Sequence, residues 1–77
     1  PSPTGWEAPG QRLWAARAAQ HADAVESDAY GNAWATRRGA DDGAPTILLE
    51  AHADEIGFAV KYVTDDGFLR VDRIGGT

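Results

Sequence analysis

Hydrophobic positions recur with a helical spacing near the start of the chain and with a strand-like spacing in the rest of it. The first six residues carry two prolines and a glycine, which predict an ordered loop. From about Ala8 or Pro9 to about Ala22, apolar side chains recur with a moderate amphipathic pattern that predicts a helix. Pro9 suits the first turn of this helix, because its missing N–H costs nothing there.

The spacing changes to that of a β-hairpin from Ala24 onward. Two strand-like segments, residues 25–29 and 33–37, flank the connection Tyr30-Gly31-Asn32. Glycine and asparagine both tolerate positive φ angles, as short hairpin connections require. A polar turn over residues 39–45 follows, so we expect the first hairpin to end before it.

Three further strands are predicted in the second half of the chain. Residues 46–51 form an apolar run bounded by breakers, which is typical of a buried strand. A turn over residues 64–67 connects a predicted strand over residues 58–63 to one over residues 68–73. In residues 58–63 two sets of side chains alternate, Phe58, Val60 and Tyr62 on one face and Ala59, Lys61 and Val63 on the other. A helix followed by about five strands, with two hairpins flanking a central apolar strand, predicts an α/β or α+β fold with a mixed sheet.

Chain length and composition limit the stability of any such fold. A chain of 77 residues forms one small domain at most and buries only about 60% of its unfolded surface. It has no cysteine, which excludes disulfides and cysteine-rich zinc sites and is compatible with a reducing compartment. It has no methionine, and it stops at Ile74-Gly75-Gly76-Thr77 directly after a predicted strand. We therefore expect an incomplete domain, cut at a loop.

The charge balance argues against two classes of partner. Twelve acidic residues against seven basic ones give a formal net charge of −5, which disfavours binding to a phosphate backbone. The longest purely aliphatic run, Ile47-Leu48-Leu49, falls far short of the ~20 apolar residues of a membrane helix. We therefore expect neither a nucleic acid nor a membrane as partner.

The segment with the strongest chemical character is residues 49–57, where an apolar run leads into a cluster of His, Asp and Glu. His52 and Asp54 lie two positions apart, so in an extended backbone their side chains share one face. This spacing suits a metal-ligating imidazole whose second nitrogen is held by a carboxylate. A zinc site needs three or more protein ligands, however. On spacing alone, a polar strand end with a hydrogen-bonded histidine is the more frequent arrangement.

The chain contains Ser-Pro-Thr-Gly-Trp-Glu at residues 2–7, Asp-Ala-Tyr-Gly-Asn at residues 28–32 and Ala-His-Ala-Asp-Glu-Ile-Gly-Phe at residues 51–58. Together with the segment that follows them, these stretches resemble motifs of the glutamyl and tetrahedral aminopeptidases, family forty-two of the metallopeptidases. Residues 2–7 are similar to its Ser-Pro-Ser-Gly-x-Glu opening, and residues 28–32 to its Asp-x-x-Gly-Asn hairpin. Residues 51–58 are similar to its Ala-His-Met-Asp-Glu-Ile-Gly-Phe signature, and the segment after them fits as well. Two departures are Thr4, where the motif has serine, and Ala53, where it has methionine. The resemblance covers essentially the whole chain, in order and spacing, and about the first fifth of a family member.

This resemblance implies a site and an activity. His52 matches a ligand of one of two divalent metal ions, Zn or Co, and Asp54 matches the catalytic carboxylate that orients this histidine. The bridging Asp, the Glu-Glu pair with the general base, a further Asp and the last His would lie beyond Thr77. Residues 1–77 would then be the N-terminal part of a catalytic domain, inactive alone. The intact protein would remove N-terminal residues from peptides, in the cytoplasm, as a homo-oligomer whose dimers assemble to a dodecamer.

Two other functions and one other residue remain open. A non-catalytic β-rich interaction module would share the sheet and lack the remaining ligands. Glycoside hydrolysis needs a pair of carboxylates at a defined separation. Some relatives carry a cellulase label, yet the sequence offers no support for that chemistry. Glu55 beside the signature could act in catalysis, but a structural role is the commoner one for such a carboxylate.

Overall fold

The computed structural model describes residues 1–76, which form one helix and four strands. These elements are α1 (Ala8–Ala18), β1 (Ala24–Ser27), β2 (Ala33–Thr36), β3 (Gly57–Val63) and β4 (Leu69–Ile74). Strands β1 and β2 form one antiparallel sheet, and β3 and β4 form another. The α/β content is as the sequence predicted. The mixed sheet is not found within residues 1–76, which contain two separate antiparallel hairpins instead.

Helix α1 begins where the sequence predicted and ends about four residues earlier than expected. Beyond Ala18 the chain tightens into a turn in which the His21 N–H donates to the Ala18 carbonyl over 2.9 Å. Hydrogen bonds from an N–H group to the carbonyl three residues earlier satisfy the last carbonyls of a helix. The Gln11 side-chain amide donates to the Gly31 carbonyl over 2.8 Å and so ties the helix to the first hairpin. Nowhere in residues 1–76 is there a helix long and apolar enough to span a bilayer.

The connection of the β1–β2 hairpin is organised by the carboxylate of Asp28. Its Oδ1 accepts hydrogen bonds from the backbone N–H groups of Tyr30 (2.9 Å) and Asn32 (3.0 Å). Its Oδ2 accepts a 2.7 Å hydrogen bond from the Asn32 side-chain amide. Gly31 has a φ of +89°, a backbone conformation that residues with a Cβ atom rarely adopt. The predicted hairpin is confirmed.

The β3–β4 hairpin contains a bulge at Lys61. Val60 lies opposite Val71, but the next pair is Tyr62 opposite Arg70, so Lys61 is an extra residue on β3. An extra residue shifts the alternation of side chains by one position beyond the bulge. The predicted alternation through residues 58–63 was therefore wrong from Lys61 onward.

The bulge concentrates the large apolar side chains on one face of this hairpin. The register places five of them together, and we call this set the apolar sheet face: Phe58, Val60, Val63, Leu69 and Val71. Tyr62 moves to the opposite face, where Lys61 forms a 2.9 Å ion pair with Asp72. All five members of the apolar sheet face are exposed within the part of the chain that the structure describes.

The predicted central strand over residues 46–51 is not found. These residues have no strand partner within the described range, although their sequence is strongly apolar. A strand exists only when its backbone groups pair with a neighbouring chain segment. Ile47, Leu48 and Leu49 are accordingly 81%, 80% and 91% exposed.

No residue between positions 1 and 76 is buried, so this range has no hydrophobic core. The radius of gyration is 18.2 Å, whereas a compact domain of this length has about 11 Å. The longest dimension is 65 Å against 23 and 19 Å for the others. Hydrogen bonding, rather than burial, therefore defines the shape.

We predict that the 77-residue chain in isolation does not unfold cooperatively. Without buried apolar area, the chain lacks the main term that offsets conformational entropy. Differential scanning calorimetry of the isolated chain should show no defined heat-absorption peak. A sharp transition with an enthalpy of about 50 kcal/mol, as expected for a folded domain of this size, would contradict this expectation.

We predict that the β1–β2 connection loosens at acidic pH. Hydrogen bonds from the Asn32 side chain first, and from the backbone of Asn32, Tyr30 and Gly31, lower the pKa of Asp28 below its ordinary value of 3.8. The ionised Asp28 carboxylate therefore stabilises the folded hairpin at pH values above its ordinary pKa. This contribution to stability disappears as the pH falls through the lowered pKa that Asp28 has in the folded hairpin.

Titration of the Asp28 carboxyl carbon by NMR in the full-length protein measures this pKa directly. The control is Asn32→Ala, which removes the side-chain donor and should raise the Asp28 pKa toward 3.8. An Asp28 that titrates at 3.8 or above in the unsubstituted protein would show that the connection is not formed as described.

Candidate metal-ligand site

The opening loop, residues 1–6, lies alongside the segment that contains His52 and Asp54. Pro3 and Glu55 form a single parallel bridge, and the Glu55 N–H donates to the Ser2 carbonyl over 2.9 Å. The Ser2 hydroxyl donates to the Ala53 carbonyl over 2.8 Å. These contacts join residues about 50 positions apart in sequence, so they are tertiary contacts.

The backbone of Gly57 lies close to the side chain of Pro3 beside this pairing. A Cβ atom added there would lie 3.1 Å from the Cβ of Pro3, which is tighter than ordinary van der Waals contact. The glycine of the Asp-Glu-Ile-Gly segment therefore makes room for the opening loop. This is a structural reason for a glycine at the start of β3.

The geometry around His52 fixes which ring nitrogen carries the proton. Its Nδ1 lies 2.9 Å from Oδ1 of Asp54 and 2.9 Å from the Asp54 backbone carbonyl. Both partners are hydrogen-bond acceptors, so Nδ1 must donate in the neutral ring. The proton-free lone pair is then on Nε2, which has no hydrogen bond within residues 1–76. The side chain is 85% exposed, so Nε2 is accessible to a ligand.

Asp54 is held from both sides. Its Oδ1 accepts from His52, and its Oδ2 accepts a 3.2 Å hydrogen bond from the Thr4 hydroxyl. The hydrogen bonds from His52 and then Thr4, together with the charge of a protonated His52, lower the pKa of Asp54 below 3.8. Asp54 is therefore ionised near neutral pH and acts as an acceptor toward the imidazole.

The donor set fits one ligand position of a metal site. A neutral imidazole whose other nitrogen is held by a carboxylate is the usual arrangement of a metal-binding histidine. No group of three or more metal-ligating side chains lies within the described residues. The other functional residues that the family resemblance implies would lie beyond Thr77. The described segment therefore brings His52 and Asp54 together and provides a single nitrogen donor.

Glu55 has a structural partner. Its Oε1 accepts a 2.7 Å hydrogen bond from the Ser2 backbone N–H, so this carboxylate fastens the opening loop to the signature segment. Ser2 and Thr4 were not singled out as site residues from the sequence. The available signal was their alternation in an extended segment, which allows two hydroxyls to face the same neighbour.

The described residues thus form an α/β unit that offers one imidazole donor and its orienting carboxylate. Comparison with known proteins identifies the family. A family model described as M42 glutamyl aminopeptidase matches residues 31–77. The chain is 34% identical over 73 residues to the glutamyl aminopeptidase of Lactococcus lactis subsp. cremoris, covering 95% of this chain and 21% of that protein. The chain belongs to the M42 glutamyl aminopeptidase family, which confirms the resemblance.

Two further relatives agree with this assignment. The lysyl aminopeptidase of Pyrococcus furiosus is 44% identical over 55 residues, which cover 71% of this chain and 15% of that protein. An aminopeptidase structure from the archaeon Desulfurococcus kamchatkensis superposes with a TM-score of 0.79 at 41% identity, covering 97% of this chain and 21% of that one. The chain spans about a fifth or less of the length of these relatives.

We predict that the neutral ring of His52 is protonated on Nδ1 in the full-length, metal-free protein. Two acceptors face Nδ1, and none within residues 1–76 faces Nε2. Nitrogen-15 NMR in alkaline buffer distinguishes the two tautomers. His21 serves as an internal control, because its ring has no hydrogen bond among the described residues and should sample both forms. An Nε2-protonated His52 would contradict the site geometry.

Proposed function

We propose that the intact protein is a metal-dependent aminopeptidase that removes N-terminal residues from peptides. The observation that carries this proposal is the His52–Asp54 pair, which leaves Nε2 of His52 as an exposed donor. Membership of the M42 glutamyl aminopeptidase family supports it. The chain spans about a fifth of its relatives, so the activity belongs to the whole protein. Residues 1–77 contribute the N-terminal part of its catalytic domain.

In this proposal His52 is a metal ligand and Asp54 holds its ring. The intact enzyme would bind two divalent ions, Zn or Co, which when bound activate water and polarise the substrate carbonyl. Asp54 keeps the proton of His52 on Nδ1 and increases the basicity of Nε2. Since a catalytic zinc needs at least three protein ligands, the remaining ligands would come from outside residues 1–76. Glu55 holds the opening loop in place and needs no role in catalysis.

The segment is proposed to supply machinery that is shared by enzymes of different selectivity. It matches one relative named for glutamyl and another named for lysyl residues, which carry opposite charges. A segment common to both is better suited to metal ligation than to recognition of the substrate side chain. Selectivity for the N-terminal residue would then depend on other parts of the protein.

The exposed apolar residues fit a role within a larger assembly. A soluble monomer rarely leaves a contiguous set of large apolar side chains open to water. We propose that the apolar sheet face and residues 47–49 are covered in the intact protein, which would act in the cytoplasm as a homo-oligomer. The family dodecamer built from dimers is the assembly that this proposal expects.

We predict that His52→Ala abolishes chelator-sensitive aminopeptidase activity of the full-length protein. The substitution removes a ligand, whereas Asp54→Ala should lower activity about 10- to 100-fold, as loss of a ligand's carboxylate partner does. Hydrolysis of an aminoacyl amide, with and without a chelator and added Zn²⁺ or Co²⁺, measures the effect. His21→Ala is the matched control. His21 lies in the turn after α1, away from the site residues, so its substitution should leave activity unchanged.

The same assay separates the alternatives. Activity that survives both the chelator and His52→Ala would exclude the proposed role of His52. No activity on any peptide amide would favour the non-catalytic interaction module. Cellulose tested beside the peptide amides addresses glycoside hydrolysis, and turnover of cellulose alone would overturn the aminopeptidase proposal.

A further inference from the structure

The hydroxyl of Thr4 is the second group that contacts the carboxylate of Asp54. Its Oγ1 donates to Oδ2 over 3.2 Å, while Oδ1 accepts from Nδ1 of His52 over 2.9 Å. The carboxylate is therefore fixed at both oxygens, one by the ring that it orients and one by the opening loop. Asp54 is thus the only residue between Thr4 and the imidazole ring of His52 in this chain of hydrogen bonds.

A carboxylate on this part of the chain needs such a second contact. Rotation about the terminal bond of an Asp side chain has broad minima, so one hydrogen bond leaves its plane loosely defined. Asp54 is 47% exposed, and residues 52–54 lie outside any paired strand. Neither burial nor a β-ladder therefore holds Asp54 in the orientation that His52 requires.

Thr4 is itself held in position on both sides. On one side, the Ser2 carbonyl accepts a hydrogen bond from the Glu55 N–H, and the Ser2 hydroxyl donates to the Ala53 carbonyl. On the other side, the backbone N–H of Gly5 donates to Oε1 of Glu7 over 2.9 Å. The loop therefore places the Thr4 hydroxyl at a fixed point relative to the signature segment.

We propose that Thr4 is a positioning residue that keeps Asp54 aligned on Nδ1 of His52, so that His52 presents Nε2 to the metal. This inference rests on the proposed function for its catalytic consequence only. The alignment of His52 exists in the metal-free protein and can be tested there. Serine, which stands at this position in the motif that residues 2–7 resemble, keeps the hydroxyl.

The test compares Thr4→Val with Thr4→Ser in the full-length protein. Valine has nearly the shape of threonine and lacks the hydroxyl, whereas serine retains it. Nitrogen-15 NMR of the metal-free protein reports the tautomer of His52. Competition with a chromogenic chelator reports the affinity for Zn²⁺ alone, and steady-state kinetics on an aminoacyl amide separate kcat from KM.

Thr4→Val should raise the minor Nε2-protonated population of His52, while the Asp54 backbone carbonyl remains as an acceptor at Nδ1. It should also weaken Zn²⁺ binding about tenfold. This is the lower end of the effect expected for an outer partner of a metal ligand, because the 3.2 Å contact is longer than an ideal hydroxyl hydrogen bond. Turnover should fall through kcat with KM little changed, since Thr4 does not face the substrate in this proposal. Thr4→Ser should restore all three properties.

Two results would overturn the proposal. The first is a Thr4→Val protein that melts at a lower temperature yet keeps the His52 tautomer and the Zn²⁺ affinity, because Thr4 would then only stabilise the loop. The second is a Thr4→Ser protein that behaves like Thr4→Val. Absence of aminopeptidase activity in the unsubstituted protein would instead refute the proposed function, while the tautomer measurement would still decide the role of Thr4.

Discussion

Pairing between the opening loop and the signature segment is the interaction on which the candidate site depends. Residues 1–76 contain no buried side chain, so no hydrophobic core within this range holds the site in place. The parallel bridge between Pro3 and Glu55 and the contacts of Ser2 take over that role. These hydrogen bonds position Asp54, which in turn orients His52. Because this loop carries Thr4, loss of its anchoring hydrogen bonds would disturb the positions of Asp54 and His52.

Two sets of large apolar side chains that a core would otherwise bury lie exposed within residues 1–76. The bulge at Lys61 turns Val63 toward Phe58 and Val60, and so gathers the apolar side chains on one face of β3–β4. Ile47, Leu48 and Leu49 present a second apolar segment. Burying these side chains would contribute roughly 1.5–3 kcal/mol each. The proposal that these side chains are covered in the intact protein rests on this exposed apolar surface.

Several features could be predicted from the sequence because their causes are local. The Asp28–Asn32 connection depends on a carboxylate four residues from its donor and on a glycine with positive φ. The start of α1 depends on proline in the first turn. The bulge at Lys61 could not be predicted, because strict alternation and alternation with one extra residue look alike until the partner strand is known. The predicted strand over residues 46–51 was not found for the same reason, because an apolar sequence favours a strand but cannot supply the segment that pairs with it.

The sequence by itself determined the family, the hairpin connections and the His52–Asp54 pair. Spacing of two puts these side chains on one face wherever the backbone is extended. Only the tertiary structure decided that Asp54 is held from its other side by Thr4 and that Glu55 binds the Ser2 backbone. These partners lie about 50 residues away along the chain, and hydrogen bonds at that separation depend on how the chain folds back on itself.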